Sequence, residues 1–247
     1  MNFSLFTAAA MISLTSVLKI IAQILNAGVA ITAIALAMYA LSFDFRDHIA
    51  RTFMIILALV AIVFTSDTIA NISNSSAIIQ AWLQLRWAAM ALMPAAYFYF
   101  SDALLTITGR PSRGRRTLLA RVFMLISLVW AVLIPLRITV GALAADANPV
   151  AYLLRSPVSV VFGAYYLGVL VLSFYNLARA VLRSNTTTTR RRLFYLFIGA
   201  SAPAITCVLF LFHGSALFSR NPDFFWLLTN LGAIVTGIAL VVIAYVV

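Results

Sequence analysis

The chain divides into apolar runs, most of them twenty residues or longer, separated by short segments that hold nearly all of its charge. A bilayer core about 30 Å thick takes about 20 helical residues to cross, and lipid offers no hydrogen-bond partner to an open backbone. Runs of this kind therefore fold as membrane helices. The first, from 3 to 42, would be roughly 60 Å long at about 1.5 Å per residue, twice what one span needs. It is read as a short interfacial helix within residues 1–16, followed by a first membrane helix over 18–42 that turns Gln23 and Asn26 inward. Further helices are expected at 50–70, 77–108, 118–142, 157–183, 193–214 and from 225 to the end. The fold class predicted is all-α: a polytopic seven-transmembrane-helix bundle over residues 17–247.

With 64% hydrophobic and 9% charged residues, and a mean hydropathy of +1.06, a soluble globular domain is excluded. The 17 basic residues outnumber the 6 acidic ones, all Asp, giving a net charge of +11. That surplus lies in the segments between apolar runs, so it speaks for membrane topology and against nucleic acid. One side carries Arg46, Arg51, Arg110, Arg113, Arg115, Arg116, Arg121, Arg179, Arg183, Arg190, Arg191 and Arg192; the other carries Arg155 and Arg220. Because basic loops stay in the cytoplasm, the N-terminus is expected outside and the C-terminus inside, in a cell membrane. No basic n-region precedes the first apolar run, and Cys207, the lone cysteine, has no intramolecular partner for a disulfide. The last run, GIALVVIAYVV, has no basic anchor after it, so the sequence is expected to be the membrane part of a longer protein.

Arg86 sits inside the run at 77–108, flanked by Trp82 and Trp87. A guanidinium in a membrane helix costs several kcal/mol unless paired or hydrated, so it is expected to face the bundle interior. On the predicted topology Asp67, Arg86, Arg137, His213 and Asn230 fall in the outer third, with Trp82, Trp87 and Trp226 nearby. Two cations and a carboxylate at one depth, walled by indoles, describe a pocket for an anion or a polar head group. The same residues are equally a structural Asp67–Arg86 pair, a snorkelling Arg137 and tryptophans anchored at the interface. Asp102 lies sixteen residues beyond Arg86, about 24 Å along the helix, so it belongs to the opposite end. There it is either a signal relay with Arg110 or a helix-end ion pair. Pro94, Pro135 and Pro203 are expected inside helices, as kinks.

Catalysis finds no foothold. There is no Glu, no metal-ligand spacing and no glycine-rich phosphate loop. Retinal needs a lysine deep in the last helix, whereas the only lysine is Lys19. Haem needs imidazoles at matching depth, whereas His48 and His213 lie at opposite ends. No cofactor or metal is expected. The expected partners are membrane lipids, a small-molecule or lipid ligand and a cytoplasmic signalling domain or partner protein, with a homodimer left open.

The run Trp82-Leu83-Gln84-Leu85-Arg86-Trp87, followed by Pro94 and the aromatic group Phe98, Tyr99 and Phe100, resembles the third helix of the N-terminal seven-helix sensor region of bacterial histidine kinases and diguanylate cyclases. The resemblance implies seven helices, N-terminus outside and C-terminus inside. With it the chain reads as a sensor or receptor module, non-enzymatic itself, in a two-component system. A small ligand or lipid binds in the outer-third pocket, and the seventh membrane helix signals to a cytoplasmic output. Such regions continue into a signalling helix and a catalytic domain, which these residues do not include. The alternative is a non-catalytic structural or assembly subunit that packs through Gly163, Gly168, Gly232 and Gly237. Absence of an internal repeat weighs against a transporter.

Overall fold

The computed structural model describes residues 3–43, 48–107, 114–144, 150–184 and 186–246. In chain order these form α1 (Phe3–Phe43), α2 (His48–Ile72), α3 (Ser76–Ile107), α4 (Arg115–Leu133), β1 (Val140–Leu143), β2 (Leu153–Arg155), α5 (Val158–Arg183), α6 (Thr187–Phe212), α7 (Ala216–Arg220) and α8 (Pro222–Val246). Seven are long and apolar enough to cross a membrane; five-residue α7 is not. The chain is an all-α seven-helix bundle of the multi-pass membrane class.

Several expected boundaries move for local reasons. The N-terminal segment does not break near residue 17: α1 is one helix from Phe3 to Phe43, because no Gly or Pro occurs before Gly28 to interrupt it. α4 stops at Leu133 rather than running to 142: Ile134 is still helical, but Pro135 has no N–H to extend the ladder and the chain turns there, the Arg137 amide donating to the Ile134 carbonyl at 2.9 Å. Pro135 thus lies beyond the helix, while Pro94 and Pro203 lie inside theirs. The segment between α4 and α5 contains an antiparallel hairpin, β1 with β2, pairing Val140 with Arg155 and Leu143 with Leu153. α6 begins six residues early because Thr186 caps it, its hydroxyl accepting from the Thr189 amide.

Neighbouring helices close into a ring, α1–α2–α3–α5–α6–α8 and back to α1, with α4 packed on the outside of α3. α3 is the central element: 83% of its apolar stretch is buried, against 11% for α4. Its inward side chains Leu83, Met90, Met93, Tyr97 and Phe100 are fully buried, in the same core as Val60 and Phe64 of α2. Ile24, Ile31, Val160, Val171 and Leu182 point outward and exposed, as lipid-facing residues do.

α6 and α8 pack closely. A Cβ on Gly232 would meet Thr206 Oγ1 at 2.8 Å, a Cβ on Gly199 would collide with Ile243, and Thr206 and Thr236 share a hydroxyl bond of 2.9 Å. Tyr97 donates to the Ala200 carbonyl at 2.6 Å, next to the Gly199 carbonyl that Pro203 leaves without its helical N–H. Of the glycines proposed for packing, Gly232 and Gly237 meet α6 and α1 within the chain, whereas Gly163 and Gly168 face open space.

Candidate functional site

The hairpin, the start of α3 and the end of α6 lie at one end of the bundle, the hairpin end. There α2 finishes with Asp67, and one helical turn on comes Asn71, which shares its face. The spacing lets Asn71 bond back to Asp67 twice, to its carbonyl at 2.9 Å and to Oδ2 at 3.2 Å. Asn26 of α1 donates to the same Oδ2 at 2.9 Å, and Arg86 of α3 pairs with Oδ1. Both carboxylate oxygens are thereby occupied, by donors from three helices. Arg86 is wholly buried and Asp67 nearly so, and the guanidinium lies 4.9 Å from the centre of the Phe210 ring of α6. Lipid would exact several kcal/mol for either charge alone, so the two are buried as a pair.

Beside this pair is a cavity of about 230 Å³. α1 supplies Lys19, Gln23 and Asn26 to its wall, α2 supplies Asp67 and Asn71, and α8 supplies Trp226, Thr229 and Asn230. His213, just past α6, completes it together with Val150 and Ala151 from the chain leading into β2. Four of the residues singled out from sequence thus share one wall: Asp67, His213, Trp226 and Asn230. Arg86 stands behind Asp67 and does not line the space.

The other candidates lie elsewhere. Trp87 is buried against Phe162 of α5 at 6.0 Å, and Trp82 borders an apolar groove with Met38 and Ile62. Arg137 is not in a helix at all; with α4 ended by Pro135, it occupies a turn at φ 58° and is exposed, away from the cavity lining. Asp102 is buried at the opposite end, its Oδ1 without a hydrogen-bond partner among the described residues. Arg110 lies outside the described residues.

Sequence reasoning passed over Arg155, which ties the hairpin down. Its guanidinium lies 5.5 Å from the Trp87 ring centre, and Nε donates to the His213 carbonyl at 3.2 Å. Burial brings its pKa down to about 10, which leaves it charged at neutral pH. Gly214 makes room for this docking: its φ is +75°, and a Cβ there would lie 2.6 Å from the Leu153 carbonyl. His213 is enclosed by Phe210 and Phe218, with ring centres at 5.6 and 4.9 Å. Burial first, then the Arg86 and Arg155 charges, push its pKa down to about 3, so the imidazole is neutral. Asn71 had a signal, the i+4 spacing from Asp67; Arg155 had none, because only the hairpin brings it inward.

Fold and site define a class: a polytopic helical membrane protein with a polar cavity at one end, set beside a buried ion pair. The chain belongs to the family of the N-terminal 7TM region of histidine kinases, whose model matches residues 24–246. No curated protein matches it.

Proposed function

We propose that residues 17–247 are the sensor input of a histidine kinase, with residues 1–16 at the interface, the N-terminus outside and the C-terminus inside, and that the cavity at the hairpin end receives a small ligand or lipid head group. The observation that carries this reading is the cavity itself, where polar side chains from α1, α2 and α8 meet beside a charge pair. In a bundle covered by lipid, polar groups are retained where they line such a space or bind one another. α8 is the route for the signal, because Trp226, Thr229 and Asn230 lie at one of its ends and the helix runs from there to the other face. A ligand acts by binding one arrangement of α8 against α1 and α2 better than another. Arg86 is a positioning residue in this scheme: it holds Asp67, which holds Asn26 and Asn71 in the wall. Asp102 and Arg110 would relay movement at the inner end to a cytoplasmic domain or partner. Catalysis is no part of this region's role.

Spin labels on exposed Ile55 of α2 and exposed Val241 of α8, in a Cys207→Ser background reconstituted in nanodiscs, test the reading. A small-molecule library is screened by thermal shift, and the label distance is read by pulsed EPR with each binder that Trp226 emission reports. A distance distribution that changes on binding supports it, as does loss of that change in Arg86→Ala with insertion intact. Unchanged distributions with the cavity occupied would refute transmission through α8.

A further inference from the structure

Hydrogen bonding fixes which groups in the cavity wall remain available. Gln23 Nε2 donates to the Asn71 carbonyl at 3.4 Å, Asn26 Nδ2 to the Asp67 carboxylate, and Asn71 Nδ2 to the Asp67 carbonyl and carboxylate. Each partner can only accept, so the orientation of all three amides is dictated, and each leaves its carbonyl oxygen toward other company. Thr229 has one proton, which goes to the Phe225 carbonyl at 2.8 Å. Its oxygen, 3.1 Å from His213 Nε2, must therefore accept there, so the imidazole proton is on Nε2 and Nδ1 is a bare lone pair. Asn26 Oδ1 and His213 Nδ1 are buried acceptors with no donor among the described residues, an arrangement that ordinarily marks a missing partner.

From this surplus of acceptors, and resting on the reading of the cavity as the ligand site, we propose that the ligand is a small uncharged molecule rich in hydrogen-bond donors, a polyol above all. Asp67 cannot serve as an anchor for a cation, because Arg86, Asn26 and Asn71 already occupy its oxygens. The Arg86 and Arg155 charges, both of which act on His213 in the wall, oppose a cationic donor. An anion offers only more acceptors to Asn26, Gln23, Asn71 and His213. A hydroxyl donates to each of these. The volume suits a four- to six-carbon molecule, since a cavity of about 150 Å³ already holds a six-carbon ring.

The test uses the whole chain in nanodiscs, with erythritol and myo-inositol as neutral donors, acetate and inorganic phosphate as anions, and choline as a cation. Thermal stability and Trp226 emission are followed as each is titrated. A saturable shift with the polyols, weakened at least tenfold by Gln23→Lys or Asn71→Leu and absent with acetate and choline, is the expected result. A saturable shift with an anion or choline, sensitive to the same substitutions, would overturn the ligand class and leave the cavity reading standing. No saturable shift with any probe would overturn both. Gln23 is only half-buried, so its variant remains informative if Asn71→Leu misfolds.

Discussion

Cutting the buried pair from each side should give unequal losses, and the inequality follows from who else holds Asp67. Asp67→Leu removes the acceptor of Arg86 and of the Asn26 amide, leaving a fully buried guanidinium whose Nε and Nη2 already lack partners among the described residues. A guanidinium cannot shed its proton, so the loss is expected near the upper part of the buried-pair range, about 4–5 kcal/mol. Arg86→Met leaves Asp67 with the Asn26 and Asn71 amides still donating, and a lone carboxyl can take up a proton; about 2–3 kcal/mol is expected. The double variant replaces the pair by apolar volume and should cost no more than about 2 kcal/mol. The cycle then shows a coupling of at least about 4 kcal/mol. Reversible unfolding in mixed micelles, titrated with SDS and followed by circular dichroism, measures all four species. Equal single losses, or a double variant that simply adds them, would refute the claim that this is one desolvated unit.

Protonation of His213 gives a second measurement. Its pKa lies at about 3 in the fold against an ordinary 6.5, so the fold binds fewer protons than the unfolded chain and stability is complete above pH 6.5. It should then fall by up to about 1.4 kcal/mol per pH unit as pH drops towards 3. His213→Gln should flatten that segment of the profile, and an unchanged slope would remove His213 as its source. Arg155→Ala loses the stack on Trp87 and the bond to His213, about 1–3 kcal/mol together, seen as faster amide exchange at 150–156. Arg155→Lys should fail to restore protection, because an ammonium cannot stack as a plane. Gly214→Ala combines a left-handed φ with a clash against Leu153 and should cost at least about 2 kcal/mol in the same unfolding assay, while Gly163→Ala, with nothing within 4 Å, should cost none. For topology, cysteines replacing Leu217 and Arg191 in the Cys207→Ser background should react with impermeant maleimide only at 217 on intact cells; the reverse would invert the proposed orientation.

The helix count was legible because a membrane span announces itself in one dimension, through length and hydropathy alone. Inward placement of Arg86 and Asp67 was legible for the same reason, since lipid leaves a charge few alternatives. What depended on three dimensions was not. Arg137 looked buried only while Pro135 was allowed inside a helix. The hairpin consists of strands of four and three residues, too short for alternation to show, and without it Arg155 is merely another surface cation. Gln23 and Asn26 were assigned to an inner face, but nothing in a single sequence joins them to Asp67, 41 residues beyond Asn26.

α8 is also the element for which local packing limits the kinds of motion that could carry a signal. Gly199 and Gly232 are notches filled by Ile243 and Thr206, and the Thr206–Thr236 bond clips the same interface. Sliding α8 past α6 would force Ile243 and Thr206 out of those notches, and packed interfaces of this kind are bistable rather than smoothly deformable. Movement of α8 is therefore movement of α6 and α8 together, against α1 and α2. That joint runs through the cavity, whose walls come from both pairs, and Asn26 and Asn71 stand on one side of it while His213 and Asn230 stand on the other. A molecule donating hydrogen bonds to both sides would hold the two pairs at a fixed separation, whereas an empty cavity leaves that separation to the α1–α8 seam.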